Sequence, residues 1–176
     1  MNRIFLVGPM GSGKTTVGRH LARNLGMDFV DLDHEIQARC GVEVAVIFEI
    51  EGEEGFRKRE SELLDELTRR EGIILATGGG SVINPDNRRM LSDRGLVVYL
   101  RTTVDQQLRR LERDKQRPLL RAPDRRRRLE DMATDRNPVY EGCAELVIES
   151  ANISPKAMAE RVEMAIREYL DREQVS

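Results

Sequence analysis

The chain has no tryptophan, and its 176 residues include only four Phe and three Tyr. There is little here from which to build the base-stacking platforms that grip single-stranded nucleic acid. Cysteine is nearly as scarce. By count, Cys40 and Cys143 could form one bridge, but they lack zinc-type spacing and no secretory pattern precedes Ile4. Both read as plain small side chains in a reducing compartment. His20 and His34 are isolated and form no ligand pair. No apolar run approaches the roughly 20 residues that cross a bilayer. Neither sign of charge is in large excess: the net charge is −2, which exerts no global pull on nucleic acid. Repeats, low-complexity tracts and linkers are also missing. These absences point to one cytoplasmic domain, 1–176, with no membrane and no nucleic acid among its partners, and a monomer is expected.

Short apolar runs alternate with helical patterns. Strands are expected at 3–7, 29–32, 73–77, 95–100 and 145–149. Helical windows fall near 14–25, 33–50, 53–71, 86–93, 104–114, 124–135 and 155–172. The strands are near-continuous apolar runs, as required where helices cover both faces of a sheet. Strand–helix–strand alternation at this spacing means parallel pairing through crossover helices. The expected fold is therefore α/β, a three-layer α/β/α sandwich around a five-stranded parallel sheet. The segment 33–71 is too long for one crossover helix and breaks at Gly52, so two helical pieces stand out as an insertion. A basic loop with two prolines, 115–123, forms a second. Insertions over the carboxyl edge of such a sheet hold acceptor sites and lids.

The first apolar run leads straight into GPMGSGKTT. Gly8, Gly13, Lys14 and Thr15 fit G-x-x-x-x-G-K-[ST] between a strand and a helix. Bare glycine backbone lets successive N–H groups of Gly11, Ser12 and Gly13 turn toward an anion. Lys14 can reach the β- and γ-phosphates, Thr15 can place its hydroxyl on Mg²⁺, and the helix N-terminus adds positive potential. A nucleotide site follows. Its use does not, because ATPases, GTPase switches and small-molecule kinases all begin this way.

Three further features narrow the choice. In FVDLD, an extended reading leans Asp31 and Asp33 to one face beside the cradle. One could hold metal-bound water and the other accept a proton, although Asp33 could equally cap the helix behind it. On the helix over 53–71, Glu60 falls inside the apolar stripe, three residues on from Arg57. Glu60 could orient Arg57 toward an anionic acceptor, or the two could form an ordinary structural pair. In TGGGSV, three consecutive glycines are entropically expensive, so something needs bare backbone there, with amide donors to a ligand oxygen the expected reason. Ten of the 29 Lys and Arg lie between Arg109 and Arg128. No aromatic side chain is interleaved among them, which favours a lid closing an arginine over phosphate rather than a nucleic-acid patch. Arg136, in RNPVY beyond the next helix, could supply a second anion-binding fork.

GPMGSGKTT, the Asp31/Asp33 pair, IFEIEGEEGFRKRE, LATGGGSV, KQRPLL and RNPVYE, in this order over nearly the whole chain, resemble the shikimate kinases. That resemblance implies a nucleoside-monophosphate-kinase-like P-loop fold with strand order 2-3-1-4-5. It also implies transfer of the ATP γ-phosphoryl to the 3-hydroxyl of shikimate, giving shikimate 3-phosphate and ADP on the route to chorismate and aromatic amino acids. By matching positions, Asp33 would meet the acceptor hydroxyl as base, Arg57 and Arg136 would grip the carboxylate, and the Gly79 amide would touch the ring. Lys14 and Arg117 would stabilise the phosphates within a cradle completed by Gly11, Ser12, Gly13, Thr15 and Thr16. Arg110 would pack on adenine, residues near Ile153–Pro155 would close the base site, and Thr15 with Asp31 would serve Mg²⁺. The acceptor-binding insertion would span about 33–61 and the lid about 112–124. A kinase of another small hydroxy acid, such as gluconate, is the alternative. A nucleotide-dependent switch or nucleic-acid module is the alternative from another class.

Overall fold

The structure, a computed structural model, describes residues 2–113 and 123–176. Five strands, β1 (Arg3–Val7), β2 (Asp28–Asp31), β3 (Ile73–Ala76), β4 (Leu96–Arg101) and β5 (Leu146–Glu149), form one parallel sheet. Their order is β2-β3-β1-β4-β5. Alternation along the strands divides the core in two. Phe5, Val7, Leu75, Val97 and Tyr99 pack beneath α2 (Leu32–Cys40), α3 (Val44–Leu67), α4 (Pro85–Arg94) and α6 (Arg125–Cys143). Ile4, Leu6, Ile74, Val98 and Leu100 pack against α1 (Lys14–Leu25) and α7 (Pro155–Val175). Full burial of each such side chain stabilises by roughly 1.5–3 kcal/mol. The expected three-layer sandwich is the observed one. Between β4 and α6 lies α5 (Val104–Leu111). Among the described residues no helix is long and apolar enough to cross a membrane.

Sheet register positions the site. Leu6 of β1 stands opposite Ala76 of β3, and Ala76 opposite Asp31 of β2. The segments after these three residues are the phosphate cradle, the glycine run and Asp33. All three therefore emerge at one edge of the sheet.

Local structure departs from expectation at three places. Asp31 is the N-cap of α2, its Oδ1 accepting from the His34 N–H at 3.0 Å, so the helix begins at Leu32 and Asp33 is helical. The capping role considered for Asp33 belongs to Asp31, and the extended-strand account of the pair does not hold. The window 33–50 is two helices, because Gly41 ends α2 in the left-handed region at φ 72°. The expected break at Gly52 is present, at φ 71° and ψ −179° within α3. Finally, α6 does not stop at 135 but runs through Pro138 to Cys143, which puts Arg136 on the helix rather than beyond it. Leu129 on one side of the proline and Tyr140 and Cys143 on the other are all buried. Their packing outweighs the roughly 3 kcal/mol that an interior proline costs.

Candidate active site

The cradle is built as its sequence demands. Gly8, Gly11 and Gly13 take φ values of 147°, 76° and 89°. A side chain at Gly8 would also sit 2.8 Å from the Leu100 carbonyl of β4. Lys14 opens α1 and is buried, its Nζ donating to the carbonyls of Gly8 at 2.6 Å and Pro9 at 2.8 Å. Ser12 is buried beneath the loop, and the Thr16 hydroxyl donates to the Gly13 carbonyl at 3.3 Å. The Thr15 hydroxyl donates to Asp31 Oδ2 at 2.5 Å, joining cradle to β2.

From the other side of the sheet edge, α5 fixes the loop. Gln107 Nε2 donates to the Met10 carbonyl at 2.9 Å and Arg110 Nη1 to the Gly11 carbonyl at 2.8 Å. Two consecutive carbonyls of the loop are thereby held from α5, while the Ser12 N–H donates within the loop to the Pro9 carbonyl at 3.2 Å. Arg110 also donates to Ser150 Oγ at 2.8 Å, tying α5 to the segment after β5. Burial pushes the Arg110 guanidinium below its ordinary value, with neighbouring Arg109 adding to the effect. Ile153 is exposed nearby in sequence, and Ser154 caps α7 ahead of Pro155. Arg117 lies outside the described residues.

The second half of the site forms around Gly78, Gly79 and Gly80. Glu60 is only 1% exposed, and its Oε1 accepts from Arg57 Nη1 at 2.9 Å. Its Oε2 accepts from the Ser81 hydroxyl at 2.9 Å, and Ser81 Oγ in turn accepts from the Gly78 N–H at 2.9 Å. A buried carboxylate is thus paired and fully engaged. None of the three glycines lies at positive φ, so turn geometry does not explain them. Crowding explains two. A Cβ at Gly78 would come within 2.9 Å of Asp33 Oδ1 and 3.1 Å of Glu60 Oε2, and a Cβ at Gly80 would run into the Arg57 guanidinium. Gly79 differs. It is half-buried rather than buried, and a Cβ there would meet nothing nearer than Met10 N at 3.6 Å, Arg136 Nη1 at 3.7 Å and Tyr140 Oη at 3.8 Å. The chain's own packing does not require a glycine at 79.

The structure therefore brings together Asp33 from α2, Arg57 from α3, the glycine run after β3, Met10 of the cradle and Arg136 from α6. A carboxylate and two separated guanidinium forks beside a phosphate cradle can align a hydroxyl on a phosphoryl group while holding an anionic substituent elsewhere on the acceptor.

Comparison with known proteins gives the family. Residues 10–167 match the family described as Shikimate kinase. The chain belongs to the shikimate kinase family. Two relatives carry that name: one from Bordetella avium, 62% identical over 147 residues (84% of this chain and 70% of the relative), and one from Vibrio cholerae, 52% identical over 167 residues (95% and 96%). Among solved structures, the shikimate kinase from Acinetobacter baumannii in complex with shikimate superposes with a TM-score of 0.92 at 47% identity, covering 96% of this chain and 94% of that one. A deoxyadenosine kinase from M. mycoides with bound dATP, 13% identical with a TM-score of 0.63 over 94% of this chain and 99% of that one, shares the fold alone.

Within this shikimate kinase fold, three supporting residues escaped the sequence reading. Ser81, Gln107 and Tyr140 are buried polar side chains that hold the site's backbone. Ser81 stood next to the glycine run, and Gln107 one helical turn before Arg110, where its buried position could have been noticed. Tyr140 follows Arg136 by four residues on α6, a spacing that stays hidden if the helix is ended before Pro138.

Proposed function

We propose that this chain transfers the γ-phosphoryl group of ATP to the 3-hydroxyl of shikimate. The reading is carried by one observation, the convergence of Asp33, Arg57 and Arg136 on the glycine run beside the cradle. Arg57, oriented by Glu60, and Arg136 bind the acceptor carboxylate from two elements. Asp33 receives the acceptor hydroxyl, and the Gly79 amide meets the ring. Gly79 keeps its bare backbone for the ligand, since nothing else crowds it. Lys14 stabilises the β- and γ-phosphates, as does Arg117 from a lid over about 112–124. Arg110 packs against adenine, while the loop amides from Gly11 to Thr16 cradle the phosphate tail. The acceptor insertion spans about 33–61 of one kinase domain, which acts as a monomer in the cytoplasm.

Thr15 Oγ1 and Asp31 Oδ2, 2.5 Å apart at the mouth of the cradle, suit a small cation that keeps most of its waters and takes few protein oxygens. Mg²⁺ held there by Thr15 and Asp31 would neutralise charge on the β- and γ-phosphates of ATP. The transition state of such transfers is loose, so positioning and fixed positive charge carry most of the acceleration. Proton acceptance by Asp33 contributes less.

An acceptor panel in a coupled ADP-release assay tests this reading. Release should require shikimate and yield the 3-phosphate, with gluconate inert. Gluconate turnover at a comparable rate, or ADP release without any acceptor, would remove the assignment.

A further inference from the structure

Tyr140 is 1% exposed on α6, and its ring packs against Tyr99 of β4 with centroids 5.2 Å apart. Its hydroxyl is the polar end of an otherwise apolar side chain, and it donates to the Gly79 carbonyl. Gly79 is the one glycine of the run whose surroundings leave room for a side chain, and the amide expected to face the acceptor. A peptide with three glycines in a row has little stiffness of its own. Something must fix its plane if an N–H is to stay aimed at a ligand. Ser81 fixes Gly78 from one end through the Gly78 N–H. At the other, the phenol holds the carbonyl.

We propose that Tyr140 is a positioning residue for the acceptor, acting through the Gly79 carbonyl to hold the glycine run in its binding conformation. The inference rests on the reading of Gly79 as an acceptor contact. Burial pushes the phenol up to about 12, against the opposing pull of Arg136, so the hydroxyl remains a donor throughout the neutral range. The same guanidinium and the Met10 amide flank Gly79. A general loosening there would consequently disturb the phosphate cradle too, and a specific effect would not.

The test is steady-state kinetics on Tyr140→Phe in the full chain, with Gly79→Ala beside it. Tyr140→Phe keeps the ring and removes the hydroxyl, with its bond to the Gly79 carbonyl and its interaction with Arg136. The shikimate KM should therefore rise about five- to tenfold with the ATP KM and kcat within about twofold. An unchanged shikimate KM overturns the proposal. So does a parallel rise in both KM values, which marks mere loosening. Gly79→Ala separates the inference from the reading beneath it. If it leaves the shikimate KM unmoved, Gly79 is not at the acceptor and both fall. If it raises that KM while Tyr140→Phe does not, only the role of Tyr140 falls. In the unaltered protein, the Cζ carbon resonance of Tyr140 should move on adding shikimate, and a signal that ignores saturating shikimate contradicts the proposal without any substitution.

Discussion

A carboxylate buried to 1% exposure needs partners, and Glu60 has them in Arg57 and Ser81. The charge is not there for stability, since an apolar residue would fill the space at least as well. What it does is hold the Arg57 guanidinium in one orientation, at the position where a Cβ on Gly80 would strike it. This gives two substitutions different outcomes. Arg57→Lys keeps a cation near Glu60 but loses the planar fork. Its shikimate KM should rise about tenfold with the ATP KM unaltered. Arg57→Ala should show that rise and also lose stability, by about 3–5 kcal/mol in denaturant titration, because Glu60 is left buried and unpaired. Equal stability of the two variants would mean that the pair is not the constraint described.

Among the elements, α5 shapes the nucleotide side without supplying the cradle motif. Its Gln107 and Arg110 hold the carbonyls of two consecutive loop residues, Met10 and Gly11. Gln107→Leu keeps the volume and drops the donor. The ATP KM should rise about fivefold while the shikimate KM stays within about twofold, as measured by initial rates with each substrate varied. A shift confined to shikimate would assign Gln107 to the wrong half of the site. At this scale the sequence was readable where periodicity and breakers agree. The strands and Gly52 were placed from apolar runs and one glycine, and α1 from its motif. Two elements misled it. Gly41 ended a helix inside what looked like a continuous window, and Pro138 did not end one, because burial on both sides of it outweighed local chemistry. Tertiary packing is not visible in a local pattern, so Arg136 was placed beyond a helix that in fact carries it.

For the whole molecule, parallel register does the assembling. Residues as far apart in the chain as Asp31 and Ala76 stand level with Leu6, and the three segments that follow carry both halves of the site. The order β2-β3-β1-β4-β5 came only from family resemblance, since no alternation of strand and helix specifies which strands are neighbours. The glycine run shows the same limit: three glycines signalled a need for bare backbone, but which side chains crowd it depends on contacts between α2, α3 and β3. One experiment examines this geometry directly. A crystal structure with shikimate and a non-hydrolysable ATP analogue should show the Arg57 and Arg136 guanidiniums on the shikimate carboxylate, with the 3-hydroxyl between Asp33 and the terminal phosphate. Shikimate bound elsewhere, or either guanidinium turned away from it, would contradict the account.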